Sequence, residues 1–173
     1  FPDARGADTV NNVAAHIIGA APAWYATESY GRLKFTVEPL GGWRMMPASA
    51  ITYNAIKTDW AAHRDYISTA LKLVPAAETD FDKYNIAYVV AAKTAAGILD
   101  NSPTLSAGIA VPTNRGTMHH VVTFGSDSYD RSYNVLLHET GHLMGLPDLY
   151  TFSTPYPDLM RPAGAWDIMC HLD

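Results

Sequence analysis

The sequence predicts an α+β domain built around a mixed β-sheet. Segments with helical spacing of apolar residues alternate with segments that have strand patterns, in the order helix, strands, helix, strands, helix. The 173 residues are the size of one domain, and 48% apolar with 17% charged content is typical of a folded chain. We therefore expect one domain over residues 1–173.

The first third of the chain is predicted to form a divided helix and a strand. Apolar residues recur at helical spacing over residues 10–25, and Pro22 is expected to kink or divide this helix. The Ser-Tyr-Gly sequence at residues 29–31 ends it. Leu33, Phe35 and Val37 then alternate with polar residues, which predicts a half-buried strand.

A second helix is predicted between Thr58, expected as its N-cap, and Pro75, which stops it. We expect its buried side to consist of five residues spaced along the segment: Trp60, Arg64, Ile67, Leu71 and Val74.

The rest of the chain is predicted to form strands, a helix and an irregular end. Residues 86–92 are a continuous apolar run, as in a strand buried on both faces, and residues 105–111 and 118–124 are two further strand candidates. From about Ser128 the pattern is helical until Gly145, which is expected to end the helix as a left-handed cap. Residues 146–173 are rich in Pro and aromatic residues and are predicted to be mostly irregular.

Charge and cysteine content narrow the classes of partner. The net charge of −5, with scattered basic residues, argues against nucleic acid or an anionic membrane as the partner. No apolar run approaches the roughly 20 residues of a membrane span. The single cysteine, Cys170, rules out an intrachain disulfide, and the start at Phe1 favours a processed, secreted chain, which we expect to be a monomer.

Residues 138–148 read His-Glu-Thr-Gly-His-Leu-Met-Gly-Leu-Pro-Asp. Residues four apart on a helix share one face, so His138 and His142 can bind a single ion. Glu139 is placed to reach a metal-bound water without binding the metal. Gly145 breaks the helix, and the returning chain can bring the carboxylate of Asp148 to about 2.0–2.2 Å from a zinc ion. The alternative is an amphipathic helix with two hydrogen-bonded core histidines, but the helix, its cap and the third ligand all agree with a zinc site.

This pattern, His-Glu-x-x-His-x-x-Gly-x-x-Asp, resembles that of the metzincin metalloproteases in the variant with aspartate as the third ligand. Residues 167–169 (Asp-Ile-Met) look like the methionine turn of that group, with Met169 as its methionine. The chain resembles the immune inhibitor A-like metalloproteases most, because residues 24–31, Trp43, 80–84, 145–150 and 166–169 all look like that family. Snapalysin-type enzymes, the second choice, share the His-Glu-Thr-Gly-His sequence but are shorter and usually contain a disulfide.

The resemblance implies a zinc endopeptidase that acts on proteins or peptides, with Glu139 as general base. It implies a twisted mixed sheet with an edge strand at the cleft, an active-site helix with backing helices, an N-terminal subdomain (1–145) and a short irregular C-terminal subdomain (146–173). Family members continue in a further helix after the methionine turn, so we expect the C-terminal subdomain to be truncated. The substrate-binding edge strand is best matched by the segment Ser106, Ala107, Gly108, Ile109 and Ala110.

Tyr150 and His171 are weaker candidates near the zinc site. Tyr150 is expected either to orient the carboxylate of Asp148 or only to pack beneath it. His171 stands where some metzincins place a tyrosine close to the zinc, although an exposed histidine without a role is the simpler interpretation. His119 and His120 are adjacent in a predicted strand, so their side chains face opposite ways and we expect them to be structural.

The resemblance also makes a calcium ion (Ca²⁺) plausible. Asp80 with Asp82, or Asp127 with Asp130, are the candidate ligands, although neither pair has the ligand density of a calcium loop. Asp127 or Ser128 is an equally good candidate for a helix cap.

Two other functions compete with the peptidase. The first is a zinc-stabilised binding module without turnover, and the second is a metal-dependent hydrolase of small molecules. Retention of Glu139 favours the peptidase over the binding module, which would not need a general base.

Overall fold

The computed structural model describes residues 1–105, 110–150, 163 and 166–170, which form an α+β fold with helices packed on two small sheets. Among these residues, no helix combines the length and the apolar character that crossing a membrane would require.

Two helices, α1 (Val10–Ile18) and α2 (Ala21–Glu28), replace the first predicted helix. The hydroxyl of Thr9 caps α1 by accepting a hydrogen bond from the backbone N–H of Asn12 at 3.2 Å. The division at Pro22 is confirmed, because this proline lies in the first turn of α2, where its missing N–H costs no helix bond. The end of α2 before Ser29 is confirmed as well.

The predicted strand at residues 33–37 is wrong. Leu33, Phe35 and Val37 are half-buried between exposed neighbours, so the alternation is present. Leu33 and Phe35 pack against a buried cluster, but the segment pairs with no strand among the described residues. Alternation reports burial of one side of an extended chain, whereas a strand also requires a neighbouring edge within hydrogen-bonding distance.

Helix α3 (Trp60–Lys72) is capped by Asp59 and not by Thr58. The Asp59 carboxylate accepts hydrogen bonds from the backbone N–H groups of Ala61 (2.8 Å) and Ala62 (3.4 Å), whereas Thr58 lies one residue too early to do so. The buried face is formed by His63, Tyr66, Ile67 and Leu71. Trp60 and Arg64, predicted to be buried, are exposed.

The larger sheet is mixed, as predicted. Strand β1 (Ala87–Val90) pairs parallel with β5 (Val121–Phe124), and β2 (Thr104–Leu105) pairs antiparallel with β5, which gives the order β1-β5-β2. Strands β3 (Val111–Pro112) and β4 (Thr117–Met118) form a separate antiparallel pair.

Three strand predictions are therefore only partly correct. β1 has one strand neighbour among the described residues and is half-buried along most of its length. The predicted strand 118–124 is divided between β4 and β5, with His119 and His120 in the gap. The predicted strand 105–111 coincides with β2 at Leu105 and with β3 at Val111, and residues 106–109 lie outside the described residues.

The central strand β5 separates two buried clusters. Val121 belongs to the cluster that includes α3, and Val122 and Phe124 belong to the cluster that includes α1, α2 and the helix that carries the two histidines. Neighbouring residues of a strand point to opposite faces, so β5 is buried on both sides.

The chain then enters α4 (Asp127–Arg131) and α5 (Tyr133–Leu143). The predicted left-handed end is confirmed, because Gly145 has φ +87°. The N–H of Gly145 donates to the carbonyl of His142 (2.9 Å) and the N–H of Leu146 donates to that of Gly141 (3.0 Å), which is the Schellman pattern.

Candidate metal centre

Helix α5 is held rigidly against the sheet and α2. The hydroxyl of Tyr25 donates to the carbonyl of Leu137 at 2.9 Å, and the hydroxyls of Tyr88 and Thr140 are hydrogen-bonded at 2.7 Å. Residues 135–141 of the helix are all buried. The helix therefore presents its side chains from a fixed position.

His138 and His142 lie one turn apart on α5 and face the same point. Their rings are perpendicular, with centroids 4.7 Å apart, and their Nε2 atoms are 3.2 Å apart. The chain reversal at Gly145 brings Asp148 to the same point, with its Oδ1 3.1 Å from Nε2 of His138 and 3.2 Å from Nε2 of His142. The three predicted ligand atoms form a nearly equilateral triangle.

All three of these atoms are hydrogen-bond acceptors. Nδ1 of His138 lies 2.7 Å from the carbonyl oxygen of Ile168, and Nδ1 of His142 lies 2.9 Å from that of Leu146. A carbonyl oxygen only accepts, so each Nδ1 holds the hydrogen and each Nε2 has a lone pair. Oδ1 of Asp148 is buried and has no hydrogen-bond donor among the residues that the structure describes.

Three lone pairs that face one another at this distance repel unless a cation lies between them. A proton on His138 is disfavoured, since burial lowers the pKa of this imidazole despite the opposing hydrogen bond to the Ile168 carbonyl. The site is therefore electrostatically suited to a metal ion.

The spacing and the chemistry of the donors fit zinc. Zn–N bonds of about 2.0–2.1 Å at tetrahedral angles require donor atoms about 3.3–3.4 Å apart, close to the separations found here. Two imidazoles and one carboxylate are a usual set of protein ligands for catalytic zinc, which keeps its fourth position open. His138, His142 and Asp148 could hold such an ion.

Glu139 lies beside this triangle. Glu139 is 8% exposed, and a carboxylate oxygen lies within 4.8 Å of a ligand nitrogen of each histidine. The carboxylate is therefore close enough to this centre to contact a metal-bound water. Burial raises the pKa of Glu139 to about 8, and a hydrogen bond from Thr104 opposes the increase. A nearby cation would favour the carboxylate form.

Thr104 is a site residue that the sequence patterns did not indicate. Its hydroxyl donates to Oε2 of Glu139 at 2.7 Å, although the two residues are 35 positions apart. A threonine at the start of a two-residue strand has no distinguishing pattern of its own. Only the packing of β2 against α5 reveals the contact.

Tyr150 and Met169 both contact this centre. The Tyr150 hydroxyl is hydrogen-bonded to the Asp148 carboxylate, and its ring stacks on His138 with centroids 6.3 Å apart. Burial, with the charge of Asp148, raises the pKa of Tyr150 to about 12. Met169 is buried beneath α5, against Gly141. The roles predicted for these two residues remain proposals.

Several other residues considered in the sequence lie outside the described residues. Ser106, Ala107, Gly108, Ile109 and His171 are outside them, and Ala110 is exposed just before β3. His119 is exposed and His120 is half-buried. The thiol of Cys170 is buried near the carbonyl of Leu149.

Three of the four aspartates considered for calcium have structural partners. Asp80 pairs with Arg115 at 3.0 Å, and Asp82 accepts a hydrogen bond from the backbone N–H of Thr117 at 2.9 Å. Asp127 binds Ser102 and does not cap α4, so the predicted capping role is wrong. Ser128, the other candidate cap, lies within the helix, and its hydroxyl donates to the Gly125 carbonyl.

Comparison with protein-family models, with curated proteins and with solved structures gives no match to this chain. The function is therefore inferred from the geometry of the centre.

Proposed function

We propose that this chain is a zinc-dependent endopeptidase of the metzincin type. The observation that supports this most strongly is the triangle of lone-pair atoms on His138, His142 and Asp148, with the buried carboxylate of Glu139 beside it. A zinc site with a purely structural function would use four protein ligands and would not need an adjacent general base.

The proposed chemistry is hydrolysis of a peptide bond by water. A bound zinc ion would lower the pKa of a water molecule to about 7 and polarise the scissile carbonyl. Glu139 accepts the proton of the attacking water and later donates it to the leaving amine. The carbonyls of Ile168 and Leu146 hold the two imidazoles in the tautomer whose Nε2 is available.

The sheet offers an edge for an extended substrate close to Glu139. Strand β2 pairs with β5 on one side only among the described residues, and Thr104 of β2 contacts Glu139. A peptide that pairs with this edge would form backbone hydrogen bonds and would pass by the general base. This edge leads directly into the predicted substrate segment at residues 106–110. Binding through the backbone predicts modest side-chain selectivity.

The test combines metal removal with one substitution. The parent chain should cleave casein, lose this activity with phenanthroline and regain it with zinc. Glu139→Gln should keep one zinc per chain and lose about 100- to 10,000-fold in kcat, the usual contribution of a general base. Cleavage by verified metal-free protein would contradict the proposal.

Two other outcomes distinguish the remaining alternatives. Zinc binding without turnover of any denatured protein would favour the zinc-stabilised binding module. Hydrolysis of dipeptides but not of proteins would favour a hydrolase of small molecules. Secretion and a monomeric state remain predictions.

A further inference from the structure

The hydroxyl of Thr104 forms a direct link between β2 and the carboxylate of Glu139. It lies 2.7 Å from Oε2 and 3.1 Å from the backbone oxygen of Glu139. A threonine hydroxyl has one hydrogen to donate, and the shorter contact is to the carboxylate. One of the two carboxylate oxygens is therefore held by the sheet.

The position of Thr104 is fixed independently of Glu139. Ser102 is 4% exposed and donates to Asp127 twice, from its N–H to Oδ2 (3.0 Å) and from its hydroxyl to Oδ1 (2.7 Å). The N–H of Thr123 in β5 donates to the carbonyl of Pro103 at 3.0 Å. The backbone that enters β2 is thus anchored to both α4 and β5, and the hydroxyl of Thr104 has a defined place.

We propose that Thr104 is a positioning residue for the peptidase reaction, a role that rests on the proposed function. Its hydroxyl holds Oε2 of Glu139, which leaves Oε1 to accept the proton as the O–H bond of the attacking water breaks. A glutamate side chain has three rotatable bonds, and its terminal torsion is broad. A fixed Oε2 restricts that torsion, and a displacement of about 1 Å at a reacting group can cost about 100-fold in rate.

The first test compares Thr104→Val, which removes the hydroxyl, with Thr104→Ser, which keeps it. Thr117→Val is the matched control, because Thr117 also begins a two-residue strand and is also half-buried, but belongs to the other sheet. We expect Thr104→Val to lower kcat about 10- to 100-fold, with unchanged KM and zinc content. Thr104→Ser should stay within about threefold of the parent, and Thr117→Val should match the parent.

The second test is a double-mutant cycle of thermal unfolding, with Thr104→Val and Glu139→Ala measured singly and together in chelator. Groups in contact give shifts in Tm that are not additive. Thr104→Ala replaces Thr104→Val in both tests if the valine variant does not fold.

The two proposals fail in different ways. An active parent with full kcat in Thr104→Val, or additive shifts in the cycle, overturns the role of Thr104 alone. A loss of kcat that Thr104→Ser shares also overturns it. A parent without chelator-sensitive turnover overturns the proposed function, and the role of Thr104 with it.

Discussion

Gly141 lies in α5 between the two histidines, where a methyl group would collide with Met169. A Cβ at this position would stand 2.5 Å from Sδ and 3.4 Å from Cε of Met169, and 3.6 Å from Cδ1 of Leu146. Ordinary contacts between heavy atoms are about 3.5–4.0 Å. In Gly141→Ala the sulfur must therefore move away by about 1 Å.

The expected loss of unfolding free energy in Gly141→Ala follows from two opposing effects. Alanine in a helix is favoured over glycine by about 1 kcal/mol, whereas an extra methyl group in a packed interior typically costs about 1–3 kcal/mol. The cost should lie in the upper part of that range, because Met169 is 2% exposed and its backbone is fixed. Its N–H donates to Asp167, and its carbonyl accepts from Leu149, each at 2.8 Å.

We therefore expect Gly141→Ala to destabilise the chain by about 1–2 kcal/mol, which lowers Tm by about 2–8 °C for a protein of this size. The assay is thermal unfolding followed by circular dichroism, in chelator so that metal binding does not contribute. Gly41→Ala is the control, since a Cβ at Gly41 meets nothing within 4 Å and the φ of this glycine is not positive.

The effect of Gly141→Ala on Tm should be reversed once the side chain of Met169 is shortened. In a Met169→Ala background the collision is absent, so Gly141→Ala should raise Tm through its helix propensity. A rise in Tm in the parent chain would show that Met169 does not pack beneath α5.

Three further predictions concern the ligand set, the core and the end of the helix. Asp148→Asn should weaken zinc binding at least about 100-fold in a competition titration, because a neutral amide replaces the only charged ligand; unchanged affinity would exclude Asp148 as a ligand. Burial lowers the pKa of His63 to about 4, so below about pH 6.5 the unfolded chain binds more protons than the folded chain. Stability should therefore fall by up to about 3 kcal/mol between pH 6.5 and 4, as measured by urea unfolding across this pH range. His63→Gln should largely remove this loss of stability. Gly145→Ala should cost about 1–2 kcal/mol, because φ +87° strains any residue with a Cβ; an unchanged unfolding midpoint would contradict this.

The geometry of the centre was predictable from the sequence because most of it is local. The spacing of four residues places His138 and His142 on one helix face. The left-handed turn at Gly145 then brings the chain back, so that Asp148 reaches the same point. The three candidate ligands lie within eleven residues. No long-range contact has to be known before these three side chains are placed together.

The parts that could not be predicted depend on distant partners or on small differences between neighbours. Thr104 reaches Glu139 only because β2 packs beside α5. Leu33 and Phe35 are half-buried as predicted, but the pairing partner of a strand is not encoded in its own alternation. Asp59 and Thr58 are both good N-caps by residue type, and the choice between them follows from where the helix begins.

The two histidines depend on carbonyls at very different distances along the chain. His142 is oriented by Leu146, four residues away, whereas His138 is oriented by Ile168, 30 residues away. During folding, the last turn of α5 can prepare His142 as soon as the helix and its glycine turn have formed. His138 acquires its partner only when residues 166–170 pack against α5. The arrangement of the three candidate ligands thus depends on one non-local contact, so we expect tight binding of a metal ion to require that this contact has formed.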